Sequence, residues 1–443
     1  MAEGSRGMRS LLVKHRNSWC EDCCDGITTG LSPLIYQTGT YLRREGIDVT
    51  TLEYDHFPAD LLNEYDCLVL FVSLPGLDDN LSHLKVAKGK GLCTILVLHD
   101  SFSVEEELMS EHDFIDFCVI YPEREIALKE LLGGLEAKRG GGVPGTVWRK
   151  NGKPYRAQTR TPSPDLKHLS SCVETLTPVL ANQSYTHAYL TVGRGCPHDC
   201  SFCDLRRTPV RKRNPEHIAE ELTLFQKYAG LRDLISFIDP FFGADLAWTG
   251  ELCETILQKG IKVSWRATTR YDVLPDTHLL KLWRRAGCMK MGLGLEHLGH
   301  PRLKKVDPTG FHTAVERLQK CSILPMVSII IGLWEDDDAT LSELEDYLLS
   351  LGKIEVVATP LMPLKGTPLY DEYKTKKVIH HEWSYKDYRE WGYANVMLPT
   401  KYLTKDEVSN WMQRFHCLKK SYSGSGMWRK LAVLLERVNR AFQ

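Results

Sequence analysis

The chain has 443 residues, 43% of them hydrophobic and 26% charged, with a formal net charge of −1. That length accommodates two or three domains of roughly 100–200 residues each, and the composition is that of a globular protein with a sizeable core. A charge near zero excludes a global field that would draw the chain onto nucleic acid or anionic lipid, and no stretch approaches the ~20 apolar residues of a membrane span. The opening segment MAEGSRGMRSLLVKHRN lacks the apolar run of a signal peptide, so the expected setting is the cytoplasm.

Over 1–137, apolar strands alternate with helix-forming stretches. Strands are predicted at 10–14, 48–54, 67–73, 93–99 and 117–121, and a helix over 32–46 with Ser32 as its cap and Pro33 in its first turn. Five strands with short crossovers predict an α/β domain with a doubly wound parallel sheet, which binds ligands outside the carboxyl ends of its strands. Those ends fall at 15–17, 73–76, 99–101 and 121–123. Residues 138–180 are rich in glycine, proline and basic side chains, and Asn151-Gly152 within WRKNGKPY predicts a tight turn, so this segment reads as a linker carrying a hairpin.

Strand–helix alternation resumes over 181–378. Strands are predicted at 188–192, 234–239, 262–268, 289–296, 326–333 and 354–361. These βα units in series predict a full or partial barrel, with functional residues at the carboxyl ends of the strands. NPEHIAEELTLFQKYAG (214–230) opens with an asparagine cap and a proline and closes on a glycine, so it predicts one helix. Residues 379–443 read as a helical C-terminal region. Its aromatic residues Trp383, Tyr385, Tyr388, Trp391 and Tyr393 either close the substrate side or simply pack.

Most of the 14 cysteines, including Cys67, Cys93, Cys118, Cys253, Cys288 and Cys321, stand singly in apolar surroundings and are expected in the core. Two clusters remain: Cys20, Cys23 and Cys24, and Cys196, Cys200 and Cys203. The second, in GRGCPHDCSFC (193–203), has the spacing C-x3-C-x2-C. Four thiolates close a zinc or iron–sulfur site, whereas three leave one metal position open to a substrate or cofactor. The alternative is a structural zinc ion completed by His198 or a distant ligand, although zinc knuckles usually pair C-x2-C units. The first cluster fits no closed site, and both a local structural role and proximity to a cofactor stay open. The basic run RRTPVRKR (206–213) reads as a solvated loop, because no aromatic residues interleave it as a nucleic-acid platform requires.

RGCPHDCSFC resembles the signature loop of radical S-adenosylmethionine (SAM) enzymes. The resemblance implies that Cys196, Cys200 and Cys203 hold a [4Fe–4S] cluster whose fourth iron is chelated by SAM, with Phe202 near the adenine. Further segments follow in the family's order. FIDPFFG (237–243) implies Asp239 facing the SAM amine, WRATTRYDVL (265–274) implies Arg270 near the SAM carboxylate, and GLGLEHL (292–298) implies Glu296 toward the ribose. IIGLWED (330–336) and TPLMPLKGTPLYD (359–371) resemble the fifth and sixth strand ends. Structural ion pairing inside a barrel is the alternative role for Asp239, Arg270 and Glu296.

The order of sheet, hairpin and barrel resembles the cobalamin-binding-domain radical SAM enzymes, as do GLSPLIYQTGTYLRREGIDVTTLEYD (30–55) and FIDFCVIYPEREIALKELL (114–132). This implies cobalamin on the front sheet's carboxyl edge. Ser73, Leu74, Pro75 and Gly76 would lie under the corrin, with His99, Asp100, Ser101, Tyr121 and Glu123 along the edge. Tyr121-Pro122-Glu123-Arg124 and VLHDS (97–101) depart from the family's glycine-containing sequences, and no D-x-H-x-x-G signature supplies a histidine to cobalt. The implied function is a C-methyltransferase that carries a methyl group from SAM through methylcobalamin to an unactivated carbon, using a 5′-deoxyadenosyl radical. Its implied partners are a small-molecule or peptide/protein substrate and a one-electron reductant of flavodoxin or ferredoxin type, with no membrane or nucleic acid. An oxidative cyclase or ring-rearranging enzyme of the same architecture is the alternative. A methylthiotransferase ranks lower, because no RNA-binding tail domain is evident, and a cobalamin or iron–sulfur sensor ranks last, because it has no need of SAM-facing Asp239 and Glu296.

Overall fold

A computed structural model of the chain describes residues 7–15, 30–31, 34–74, 77–98, 103–120, 123–137, 141–182, 185, 187–228, 235–298, 303, 307–389 and 395–421. In chain order the strands are β1 (Ser10–His15), β2 (Gly30–Leu31), β3 (Val49–Tyr54), β4 (Cys67–Val72), β5 (Cys93–Leu98), β6 (Phe117–Val119), β7 (Thr146–Lys150) and β8 (Lys153–Arg156). Then come β9 (His187–Thr191), β10 (Gly193–Arg194), β11 (Arg211–Lys212), β12 (Ile235–Ile238), β13 (Trp265–Thr269), β14 (Cys288–Glu296), β15 (Leu324–Ile331) and β16 (Glu355–Pro360).

The first sheet has seven strands in the order β3-β1-β4-β5-β6-β7-β8. Its parallel part is the predicted doubly wound sheet, and β4 (CLVLFV) is buried along its whole length, as a parallel strand covered on both faces must be. The order reverses between β1 and β4, so the ligand crevice of such a sheet opens beside His15 and Ser73. The Asn151-Gly152 turn forms, with φ of +52° and +78°, the pair of positive values that a tight hairpin turn requires. The hairpin is not free-standing: β7 pairs antiparallel with β6 and extends the sheet.

The second sheet, β16-β15-β14-β13-β12-β9-β2, is parallel throughout and contains all six predicted barrel strands in chain order, as an open half-barrel. Its edge strand β2 comes from the front of the chain and pairs with β9, Gly30 opposite His187. A strand of two residues is too short to carry a periodic signal. One continuous core joins Leu12, Val69 and Ile95 of the first sheet to Leu190, Phe237 and Leu293 of the second.

The helix Pro215–Phe225 begins as expected, with the Asn214 side chain accepting the Glu216 N–H at 2.9 Å. It ends at Phe225 instead of Gly230, because the Gln226 side chain turns to accept the Lys262 N–H at 3.1 Å. Trp383, Tyr385 and Tyr388 are buried, so packing is the role of these aromatic residues, while Trp391 and Tyr393 lie outside the described residues. Among the described residues no helix is long and apolar enough to cross a membrane.

Candidate active site at the cysteine loop

The loop 195–210 leaves the carboxyl end of β9 and is closed at its neck by β10 and β11, which pair Gly193 with Lys212 and Arg194 with Arg211. Gly195 has φ +89°, and a Cβ there would lie 1.9 Å from the Pro209 carbonyl oxygen, so only glycine fits. Across the loop the Cys196 N–H donates to Thr208 Oγ1, the Thr208 N–H to the Cys196 carbonyl and the Arg207 N–H to the His198 carbonyl, each at 2.8 Å. The Ser201 carbonyl accepts the Leu369 N–H at 3.0 Å, and Phe202 packs on the core that contains Leu369 and Tyr370.

Cys196, Cys200 and Cys203 are free thiols, each half-buried. Burial, with Glu296 next in size, pushes the Cys200 thiol up, and burial, with Asp204 next, pushes Cys203 up to about 12. Such thiols ionise only when a bound cation supplies the compensating charge. Among the described residues, the only histidine, cysteine and carboxylate group whose ligand atoms all lie within 4.8 Å of one another is Glu123, Glu125 and His168. The three sulfurs are therefore spread wider than one tetrahedral ion with ~2.3 Å bonds draws together.

The carboxyl ends of β13 and β14 face this loop. Glu296, the last residue of β14, has φ +61° at a register shift against β15, a left-handed conformation that a side-chain-bearing residue rarely adopts. Burial pushes its carboxyl up to about 7 against the opposing charge of Arg270. Arg270 follows β13 and forks onto Asp272 at 2.9 and 2.6 Å, and its charge is felt by His198 and Cys200 as well as Glu296. Burial first, then Arg270, pulls His198 down, and its ring packs on Phe241 at 4.9 Å. His198 Nε2 and Thr269 Oγ1 are buried with no hydrogen-bond partner. Two orphaned polar atoms, a carboxyl raised by burial and three half-covered thiols form a donor set that fits an iron–sulfur cluster with a polar ligand on it.

Asp239, at the end of β12, is buried and already engaged. It accepts the Phe241 N–H at 2.9 Å and pairs with Lys212, whose ammonium also donates to the Phe241 carbonyl at 3.0 Å and lies 5.3 Å from the Trp248 ring centroid. Burial raises the Asp239 carboxyl and Lys212 opposes that rise.

The basic run is solvated only in its first half, where Arg207 and Pro209 are exposed. Arg206 and Arg207 pair with Asp199, Arg211 with Glu123, Lys212 with Asp239, and Arg213 with Glu221 at 2.9 Å. Arg211 and Arg213 are buried. Arg213 also donates to the carbonyls of Leu169, Thr191 and Ser170, so all its directions are used beneath the loop.

At the front sheet's edge, Ser73 and Leu74 are buried at the end of β4. Pro75, Gly76, His99, Asp100, Ser101 and Tyr121, like Cys20, Cys23 and Cys24, lie outside the described residues. Glu123, expected along the cofactor edge, is fully buried and receives Arg211 and Arg194, the latter at 3.4 Å. Thr269 and Lys212 carry no signal of their own as site residues, while His198 stands inside the cysteine motif and was weighed only as a zinc ligand.

Residues 190–348 match the Radical SAM superfamily model. The chain is 25% identical to the anaerobic magnesium-protoporphyrin IX monomethyl ester cyclase of Synechocystis sp. over 54% of this chain and 48% of that protein. It is 28% identical to the hopanoid C-3 methylase of Methylococcus capsulatus over 60% of this chain and 53% of that protein, and so spans about half the length of the curated relatives it matches. Among solved structures it is similar to the radical S-adenosylmethionine methyltransferase TsrM from Kitasatospora setae with cobalamin and [4Fe–4S] cluster bound, with TM-score 0.67 and 16% identity, covering 84% of this chain and 76% of that one. At that identity the likeness is one of fold. The cysteine loop stands at the head of the segment that matches the Radical SAM superfamily model, and the chain as a whole shares its fold with TsrM.

Proposed function

We propose that the chain is a cobalamin-dependent radical SAM methyltransferase that moves a methyl group from SAM to an unactivated carbon. The observation that carries this reading is the three-thiol loop, closed by β10 and β11, facing a Glu296 held in a left-handed backbone with its carboxyl raised to about 7. When bound, the cluster and cobalamin supply one-electron cleavage of the sulfonium and a carrier for the methyl group. Everything else is the work of the chain's own residues.

Cys196, Cys200 and Cys203 hold the cluster and leave one coordination position to SAM. Glu296 accepts the ribose hydroxyls, Arg270 turns from Asp272 toward the SAM carboxylate, and Thr269 and His198 gain the hydrogen bonds they lack. Phe202 flanks the adenine, and Asp239 offers the amine a carboxylate that Lys212 has already oriented. Ser73 and Leu74, with Pro75, Gly76, His99, Asp100, Ser101, Tyr121 and the neighbourhood of Glu123, form the cobalamin side. A site closed between the two sheets would exclude water and hold the substrate carbon in place, which is how proximity serves such chemistry. The reading places the protein in the cytoplasm, with a flavodoxin- or ferredoxin-type reductant and a small-molecule or peptide substrate.

The similarity to a hopanoid C-3 methylase supports methyl transfer, and the similarity to a cyclase supports a second reading, oxidative cyclisation or ring rearrangement by the same cofactors. Anaerobic reconstitution with iron, sulfide, cobalamin, SAM and reductant separates them. S-adenosylhomocysteine with 5′-deoxyadenosine indicates methyl transfer, 5′-deoxyadenosine alone indicates cyclisation, and neither product overturns both.

A further inference from the structure

The neck of the cysteine loop sets Arg194 of β10 directly opposite Arg211 of β11. Both are buried, 7% and 4% exposed, and like charges opposite one another across an antiparallel pair repel. The compensating charge comes from the other half of the molecule. Glu123 and Glu125, at the start of the helix Arg124–Glu136 that follows β6 in the first sheet, are both fully buried. Arg194 donates to Glu125 at 2.6 and 3.2 Å and to Glu123 at 3.4 Å, while Arg211 donates to Glu123 and to the Ser163 carbonyl at 3.2 Å. His168 Nε2, from the segment between the sheets, lies 3.5 Å from Glu123 and 3.9 Å from Glu125.

Two carboxylates and an imidazole within 4.8 Å of one another have the composition of a cation site, but the guanidinium groups already occupy the carboxylate oxygens and a divalent ion there would meet their charge. The arrangement is a strut. One residue separates Arg194 from Cys196, and that residue, Gly195, admits no side chain and little displacement. The opposite end of the strut begins where the front sheet's β6 loop ends.

We propose that Glu123 and Glu125 are positioning residues: from the first sheet, and through Arg194 and Arg211, they fix the neck of the cysteine loop and hence the placement of the cluster on which SAM docks. This rests on the cluster and SAM assignment above. Neither glutamate touches the reacting atoms. Removing one carboxylate charge leaves its arginine buried opposite another arginine, and the neck relaxes by moving.

The test uses the full chain, reconstituted anaerobically with iron and sulfide, as wild type, Glu123→Gln, Glu125→Gln, the Glu123→Gln/Arg211→Gln double variant and Glu130→Gln. Glu130 is on the same helix but pairs with Arg160 at the surface, so it is the control. Three quantities are read: iron per chain, the change that SAM makes in the electron paramagnetic resonance spectrum of the reduced cluster, and SAM affinity. Expected are near-wild-type iron loading in Glu123→Gln and Glu125→Gln, a lost or altered SAM-induced spectral change, and SAM affinity lower by about 10- to 100-fold, the range for a misplaced reacting group. Glu130→Gln behaves as wild type. The double variant, which removes opposite charges together, recovers to within about 3-fold of wild type, as coupled partners do.

Single variants that load and keep the wild-type spectral change and affinity overturn the proposal. Should the single variants fail to fold, the double variant decides: recovery supports the strut, and failure equal to that of the singles overturns it. A wild-type chain that takes up no cluster overturns the cofactor reading itself, an outcome distinct from variants that load like wild type.

Discussion

The two large sheets share a parallel core, and they treat charge at their carboxyl ends in opposite ways. Along the first sheet the acidic groups are closed off: Glu123 and Glu125 by arginines, Glu105 by Arg156 at 2.9 Å. Along the second, Glu296 accepts no hydrogen bond among the described residues and sits at φ +61°, with Thr269 Oγ1 also unpartnered. Asp239 stands between these cases, buried but held by Lys212. A left-handed non-glycine residue costs of order 1–3 kcal/mol, and an unsatisfied buried polar group about 1–3 kcal/mol. The contrast thus separates carboxylates that join the halves of the molecule from Glu296, whose carboxyl meets burial and only the more distant charge of Arg270.

The comparison breaks most completely at the thiols. Cys200→Ala is expected to reduce 5′-deoxyadenosine formation to background, measured by chromatography under reducing conditions, while circular dichroism and cobalamin retention stay as in the wild type. Unchanged SAM cleavage would remove the open-site reading altogether.

Arg213 tests whether the closed pair beneath the cysteine loop is as structural as those of the first sheet. Arg213→Ala leaves Glu221 buried without its partner and is expected to destabilise the chain by about 3–5 kcal/mol in denaturant unfolding. A loss below about 1 kcal/mol would mean that water or another cation replaces the guanidinium.

Glu296 sharpens the contrast in two directions. Glu296→Gln is expected to weaken SAM binding by about 10- to 100-fold in calorimetric titration, the loss of a charged hydrogen bond. Glu296→Gly should lose the same affinity yet raise stability by about 1 kcal/mol, because glycine accepts positive φ without strain. A destabilised Glu296→Gly protein would show that the left-handed residue is not strained.

The smallest effect is on pH dependence. Burial by itself would raise the Glu125 carboxyl, but Arg194 and His168 outweigh it and hold the group well below the usual carboxylate range. A carboxyl lowered by folding adds stability above its unfolded pKa of about 4.3, and that stability is lost as pH falls toward the folded value. Wild type should therefore exceed Glu125→Gln in melting temperature at neutral pH, with the gap closing below about pH 4. A gap independent of pH would assign the pair no electrostatic role.

Much of the scaffold was legible because its signals are local. Strand-length apolar runs located the core strands of both sheets, Asn151-Gly152 specified the hairpin turn, and the C-x3-C-x2-C spacing marked the loop. The basic run shows where that legibility stopped. Its composition read as solvated, yet Arg211 meets a carboxylate 88 positions away and Lys212 one 27 positions away. No pattern within a window of a few residues encodes such partners.

By itself, then, the sequence determined which segments became strands, where the chain turned tightly, and that three thiols would share one loop, because backbone preference and hydrophobic period act between near neighbours. Only the tertiary structure decided that β2 crosses to the second sheet, that Arg211, Lys212 and Arg213 of the basic run meet buried carboxylates, and that Glu296 ends its strand in a left-handed turn. Those outcomes depend on which distant surfaces are pressed together once water is excluded, and burial then fixes the partner that each charge must find.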